Sequence, residues 1–272
     1  MKRSLLYQIE SVEETEFEAF AEEVQLAERL GIDTIWCFPS TGVDGRFQAS
    51  AASIWLAAIA SRTERIRLGW GLAAMTPPDR PPMRIAEQAA SIDLASSGRL
   101  EIAVLPEGEL VDQEEGSWDE GFRMLVEMWQ EPSFSWTSAR FIVHPVDVVP
   151  KPIQHPHPPL WLAGWSLEHA MRAGKGGLAF LDVSGASDGT LVRNRDTYTE
   201  ARAGADPDDL VSIGLYGIGI DLEPSSEGLE RLRAWEELGF DHVVVRAGPL
   251  EGGHAEAMER IRFLGSEDAG EL

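Results

Sequence analysis

The sequence predicts one closed (β/α)8 barrel, an α/β fold of TIM type, running through residues 1–272 as a single domain. Three observations predict it. Apolar runs of strand length alternate eight times with segments of helical periodicity. The runs are close to continuously apolar, as parallel strands covered on both faces have to be. The length of 272 residues is usual for such barrels, which run to about 250. An open doubly wound sheet shares the alternation; the even count of eight favours closure.

The units follow in order. A first strand at Leu5–Ile9 leads to a capping-box pattern at Ser11 and Glu14, then to a helix whose Phe17, Phe20, Ala21, Val24, Ala27 and Leu30 share one face before Gly31 ends it. The second strand is Thr34–Phe38, the second helix the alanine-rich Ala49–Ser61, and the third strand Ile66–Ala73. A proline-rich loop at Thr76–Pro82 precedes a third helix at Met83–Ala95 and a fourth strand at Leu100–Leu105. Ser117 and Glu120 open a fourth helix carrying Trp118, Phe122, Leu125 and Trp129 on one face. Seven prolines between Pro132 and Pro159 mark an irregular excursion with room for a short hairpin. The remaining strands are Leu160–Ala163, Leu178–Val183, Val211–Ile220 and Asp241–Val245, each followed by a helix: Leu167–Ala173, Leu191–Arg202, Glu227–Leu238 and His254–Leu264.

Composition removes several function classes. A net charge of −23 repels a phosphate backbone, so no nucleic-acid partner is expected. No apolar run reaches the roughly 18 residues that span a bilayer, so no membrane partner is expected either. The single cysteine, Cys37, fits a reducing compartment, and a cytoplasmic protein is expected. In so acidic a chain, a phosphate-bearing cofactor needs a local site of backbone N–H groups or arginine.

In an α/β barrel the chemistry sits at the C-terminal ends of the strands, and this picks out the candidates. Gly164, Trp165 and Ser166 end the fifth strand and open a helix, where a Ser166 N-cap would leave N–H groups facing an anion. Arg246 ends the eighth strand and is a second phosphate candidate, with pairing to a carboxylate such as Asp221 as the alternative. His155 and His157 have the spacing of two metal ligands, but the prolines around them favour a structural loop, and no metal is expected. Glu107, Glu109, Asp112, Glu114 and Glu115 make an acidic loop, more often a solvated lid than a cation site. Cys37 reads as a buried, inert thiol. Gly69, Gly71 and Ala74 match a dinucleotide fingerprint, but prolines rather than a helix follow, which rejects it.

Five stretches in order resemble the bacterial-luciferase-like flavin-dependent monooxygenase family: AERLGIDTIW (27–36), LAAIASRTERIRLGWGLAAM (56–75), PPMRIAEQAASIDLASSGRLEIAV (81–104), residues 118–136 ending in MWQEPSFSW, and VVPKPIQHPHPPLWLAGWS (148–166). The third, with its AEQ…D…SSGRL pattern, is the most specific. The resemblance implies reduced FMN, or a deazaflavin in some branches, with O2 and a small organic substrate, a flavin reductase as partner, and a homodimer for which the small-residue second helix suits the seam. It places Ala73 and Ala74 behind the flavin ring and the turn Gly164, Trp165 and Ser166 at the phosphate; read as such an enzyme, the chain would add Arg246 at the phosphate and line an apolar substrate pocket with Phe38, Trp70 and Met75. No catalytic residue is assigned: where many members carry an acid and histidines after the second strand, this chain has Cys37, Phe38, Pro39 and Ser40. After the fourth strand, Leu105, Pro106 and Glu107 stand where many carry a phosphate-binding arginine. The alternatives are a deazaflavin-dependent oxidoreductase of the same fold and a non-catalytic ligand-binding protein or subunit.

Overall fold

A computed structural model describes residues 1–9, 16–39, 52–73, 82–105, 117–205, 215–220, 222–247 and 253–265. The strands are β1 (Lys2–Ile9), β2 (Thr34–Pro39), β3 (Arg67–Ala73), β4 (Leu100–Leu105), β5 (Phe134–Thr137), β6 (Ile142–Val146), β7 (Leu160–Gly164), β8 (Ala179–Asp182), β9 (Tyr216–Ile220) and β10 (His242–Arg246). The helices are α1 (Glu16–Arg29), α2 (Ala52–Ala60), α3 (Pro82–Ala95), α4 (Ser117–Gln130), α5 (Leu167–Lys175), α6 (Asp188–Ala203), α7 (Ser226–Glu237) and α8 (Gly253–Gly265). Eight strands close a parallel barrel in the order β1-β10-β9-β8-β7-β4-β3-β2, while β5 and β6 form an antiparallel hairpin outside it. The closed barrel is the expected fold, and the hairpin fills the proline-rich excursion.

Element bounds differ from the expectation where tertiary pairing overrides composition. β1 starts at Lys2, three residues early, because Lys2, Arg3 and Ser4 pair with His242, Val243 and Val244 of the last strand. Three polar residues carry no strand signal; the closing partner recruits them. The capping box at Ser11 and Glu14 lies outside the described residues.

Alternation along each strand splits the core in two. Leu68, Trp70, Leu72, Ile102, Val104, Leu162, Phe180, Val243 and Val245 face the helices and join the apolar faces of α1 to α8. Trp36, Phe38, Ala103, Trp161, Ala163, Ala179, Leu181 and Val244 fill the lumen. The large lumen rings need room, and β3 provides it. A Cβ on Gly69 would run into the Trp36 ring, and one on Gly71 into the Phe38 ring. The two glycines that resembled a nucleotide fingerprint are therefore the hollow into which two aromatic rings fit.

The bottom of the barrel is closed by a polar chain. Glu101 pairs with Arg67 and accepts the Trp161 indole N–H at 2.8 Å. Arg67 donates onward to Gln154 Oε1 at 3.0 Å, and Gln154 donates to Asp93 Oδ1 at 2.7 Å. Asp93 also accepts the backbone N–H groups of Ile153 and Gln154 at 2.8 and 3.0 Å. The buried Arg99 donates to the carbonyls of Ala60, Thr63, Ile66 and Ser96 and to the Thr63 hydroxyl, all within 3.0 Å. Asp93 and Arg99 belong to the most specific stretch of the sequence, and both satisfy buried backbone groups away from the mouth.

Candidate active site at the barrel mouth

The upper lumen opens at the C-terminal strand ends. Phe38 lies across Gly71 and tilts against Trp36 with ring centroids 5.8 Å apart, forming an apolar floor with Ala103 and Ala163. Leu105 and Val183 pack against this group. Gln8 and Arg246 supply polar groups on β1 and β10. The Arg246 guanidinium donates from Nη1 to Gln8 Oε1 at 2.7 Å.

At the end of β7, Ser166 is extended (φ −133°, ψ 159°) and caps α5, its hydroxyl accepting the His169 N–H at 3.2 Å. His169 is a residue that the sequence did not single out. Its Nδ1 accepts the Trp165 backbone N–H at 3.3 Å, and its ring meets the Trp165 indole edge-on at 4.8 Å. A Cβ on Gly164 would collide with His169, so the glycine lets the imidazole settle beneath the turn. Burial holds the His169 pKa below its usual value, and a neutral ring with Nδ1 accepting carries its proton on Nε2. The only signal for this arrangement was the spacing of three from an N-cap serine. One N–H of the turn is thus already engaged. The first-turn Glu168 pairs outward with Arg172 at 2.7 Å.

The predicted site residues separate by strand parity and strand order. Phe38 faces the lumen. Trp70 does not: it is 6% exposed and packs on the helix side of β3, because the lumen positions of that strand are Gly69 and Gly71. Trp70 is therefore removed from the substrate pocket. Ala73 is the last residue of β3, in register with Leu105; Ala74, Met75, Asp221 and the acidic loop residues Glu107 to Glu115 lie outside the described residues. Gly164, Trp165 and Ser166 stand at the end of β7, and Arg246 stands on β10 with β8 and β9 between them.

Two further candidates, Cys37 and His157, are buried. Cys37 is fully buried on the helix side, where burial pushes its thiol pKa up. His157 is buried, stacks on Trp129 at 6.2 Å and makes a 2.8 Å contact through Nδ1 with the Pro158 carbonyl. Asp182, at the mouth end of β8, turns to the helices and accepts from Tyr216 Oη at 2.7 Å and Asn194 Nδ2 at 2.8 Å. Among the described residues, no three His, Cys, Asp or Glu side chains gather as a metal ion would require, and no helix is long and apolar enough to cross a membrane.

The family model for luciferase-like monooxygenases matches residues 4–217. The chain belongs to the luciferase-like monooxygenase family. Members of this family similar to the chain differ in cofactor. The oxygenase component of a flavin-dependent trigonelline monooxygenase from Acinetobacter baylyi is 28% identical over 193 residues, covering 60% of this chain and 49% of that protein. An F420-dependent glucose-6-phosphate dehydrogenase from Kineococcus radiotolerans is 25% identical over 240 residues, covering 79% and 67%. The chain spans about half the length of the first of these relatives. Among solved structures, the monooxygenase RslO1 from Streptomyces bottropensis superposes with a TM-score of 0.79 at 17% identity, over 97% of this chain and 98% of that one. That likeness concerns the luciferase-like fold, which this family uses for flavin and deazaflavin oxidoreductases alike.

Proposed function

We propose that the protein is a luciferase-like monooxygenase that takes reduced FMN and O2 to a small organic substrate. The observation that carries this reading is the mouth itself. An apolar floor built on Phe38, Ala103 and Ala163 lies beside a capped helix N-terminus at Ser166, inside a family match that covers residues 4–217. The residues fit a flavin by their chemistry: a flat apolar ring suits the floor, and backbone N–H groups at the start of α5 suit its anionic end. Ala73, which ends β3, backs the ring, and Gly164, Trp165 and Ser166 hold the phosphate end. Reduced flavin, when bound, supplies the activation of O2 and the oxygen atom delivered to substrate.

The chain's own residues bind, orient and keep water out. Phe38 and Trp36 block the lumen below the reaction plane, so substrate lies above them. His169, neutral and partly buried under the turn, holds the Trp165 backbone in place. No proton transfer is assigned to the chain's own residues, because the oxygen chemistry belongs to the cofactor. Supply of reduced flavin by a separate reductase accords with the relative named as an oxygenase component.

A deazaflavin oxidoreductase is the second reading, favoured by the F420-dependent relative. One titration tests both. The pure protein is mixed anaerobically with reduced FMN, oxidised FMN and F420, and the cofactor absorbance is followed before and after O2 is admitted. Reduced FMN is expected to bind with a perturbed spectrum and slowed reoxidation. Uptake of F420 alone would replace the reading, and uptake of neither would end it in favour of a non-catalytic member.

A further inference from the structure

The turn after β7 hangs between two fixed points. The Gly164 carbonyl accepts the Val183 N–H at 2.7 Å, which ties the strand end to the end of β8. Ser166 is fixed as the cap of α5: its hydroxyl accepts the His169 N–H at 3.2 Å and its carbonyl the Ala170 N–H at 3.1 Å. Between these anchors stands the Trp165 peptide. Its N–H donates to His169 Nδ1 at 3.3 Å, a bond to a side chain and not to the barrel. A backbone group of the proposed phosphate end is thus held by a side chain that titrates.

The bond exists in one protonation state only. Nδ1 accepts while the ring is neutral; in the imidazolium both ring nitrogens are donors. Two N–H groups would then face each other across 3.3 Å with no acceptor between them. The stem of His169 packs directly on the Gly164 backbone, where an added Cβ would lie 2.6 Å from the His169 Cβ, and the ring stands edge-on to the Trp165 indole at 4.8 Å. The peptide between the two anchors is the part that yields.

The surroundings set the resting state. Burial is the largest influence on His169 and opposes its charge. The first turn of α5 adds to this, since the partial positive charge of a helix start disfavours a cation. The charges acting on the ring are Glu168 and Arg172 of α5, which pair with each other at 2.7 Å, and the buried Asp182 at the end of β8. β7 carries no titratable residue, and among the described residues α6 adds no charge to these. Asp182 is already supplied with neutral donors by Tyr216, Asn194 and the Ser184 N–H. The ring is therefore neutral at pH 7 and takes its proton only as pH falls below about 6.5.

We infer that His169 is a proton-controlled latch on the β7 turn: neutral, its Nδ1 holds the Trp165 peptide in the shape that takes the phosphate end of the cofactor; protonated, it releases that peptide and the phosphate end with it. The phosphate half of this rests on the flavin reading, and the latch itself does not. His169 is a positioning residue, acting through the Trp165 backbone.

The test has two arms on the full chain. In the flavin-free protein, NMR follows the His169 ring and the Trp165 amide from pH 7 to pH 5, with amide exchange corrected for its intrinsic pH dependence. Protection of the Trp165 N–H is expected to be lost at the midpoint of the ring titration in wild type. It should persist at pH 5 in His169→Asn, whose amide oxygen can accept at the place of Nδ1 and does not titrate. In the second arm, the affinities of reduced FMN and reduced riboflavin are measured at both pH values. The FMN-to-riboflavin ratio of wild type is expected to fall about fivefold more than that of His169→Asn, the worth of one hydrogen bond, while the asparagine variant carries the phosphate's own titration. His169→Leu, with no acceptor, should show the low ratio already at pH 7; should it fail to fold, the wild-type and asparagine series decide. A Trp165 N–H that stays protected while the ring protonates would overturn the inference. So would equal falls in the two proteins, or a wild-type ratio that rises at pH 5 and makes the imidazolium a phosphate ligand; in both cases the flavin reading stands. A wild type that takes up no flavin at pH 7 ends that reading, and the phosphate half of the inference falls with it whatever the amide shows.

Discussion

His242 shows how one lumen residue sets a property of the whole chain. It is 1% exposed, contacts Ser4 Oγ through Nε2 and packs against Trp161 with centroids 5.6 Å apart. Burial, with a smaller contribution from the Lys2 charge, lowers its pKa to about 3. The folded state thus keeps the imidazole neutral, whereas the unfolded chain protonates it near pH 6.5. The sign follows from linkage: the contribution is fully present above pH 6.5 and is lost as pH falls towards 3, because the unfolded state then binds the extra proton. At pH 5 this amounts to about 2 kcal/mol. His242→Gln keeps a polar group near Ser4 and cannot charge. Urea unfolding at pH 7 and pH 5 should show the wild type losing about 2 kcal/mol more than the variant; equal losses would remove His242 as the cause.

Between residue and fold, the pairing of β2 with β3 decides what the lumen can hold. Trp36 and Phe38 project from β2 into the space that Gly69 and Gly71 leave on β3. Gly71→Ala puts a methyl group into the Phe38 ring, an overpacking expected to cost about 2 kcal/mol. Phe38→Leu removes ring atoms and should cost about 1.5 kcal/mol by itself. The double variant should be less destabilised than the two losses combined, since the leucine vacates the space that the new methyl needs. Thermal or denaturant unfolding of the three proteins checks this, and strict additivity would show that the ring and the glycine do not meet. The strands themselves were legible in the sequence as apolar runs, but which residues face the lumen was not. Trp70 and Phe38 are both apolar residues near strand ends, and only register shows that Phe38 enters the lumen while Trp70 joins the helix layer.

For the whole molecule, the outer surface of α2 points to a second copy. ASIWLAAIA carries no charged residue, and Ile54 is 63% exposed beside the exposed Ala57. A helix apolar on all sides is normally covered on all sides. A homodimer through this face is therefore our proposal, with a mass of twice the 29.9 kDa chain. Light scattering should give that mass for wild type and the single-chain mass for Ile54→Glu, with the barrel still folded by circular dichroism. A monomeric wild type would refute the seam.

The sequence by itself determined the barrel. Strand periodicity, helix stops at glycine and a count of eight units are local signals, and each survives in the folded chain because neighbouring residues carry it. It also determined the Ser166 cap, which depends on a turn a few residues long. Tertiary structure alone decided which of the candidates meet. His169 enters the site because Gly164 leaves it room, and Gln8 because β1 closes against β10, some 238 residues away. Arg246 moves across the mouth from the β7 turn because two strands intervene between them. Closure of a barrel brings together residues that are remote in sequence and separates residues that share a chemistry. Distance around the ring is set by strand order, which no local pattern encodes.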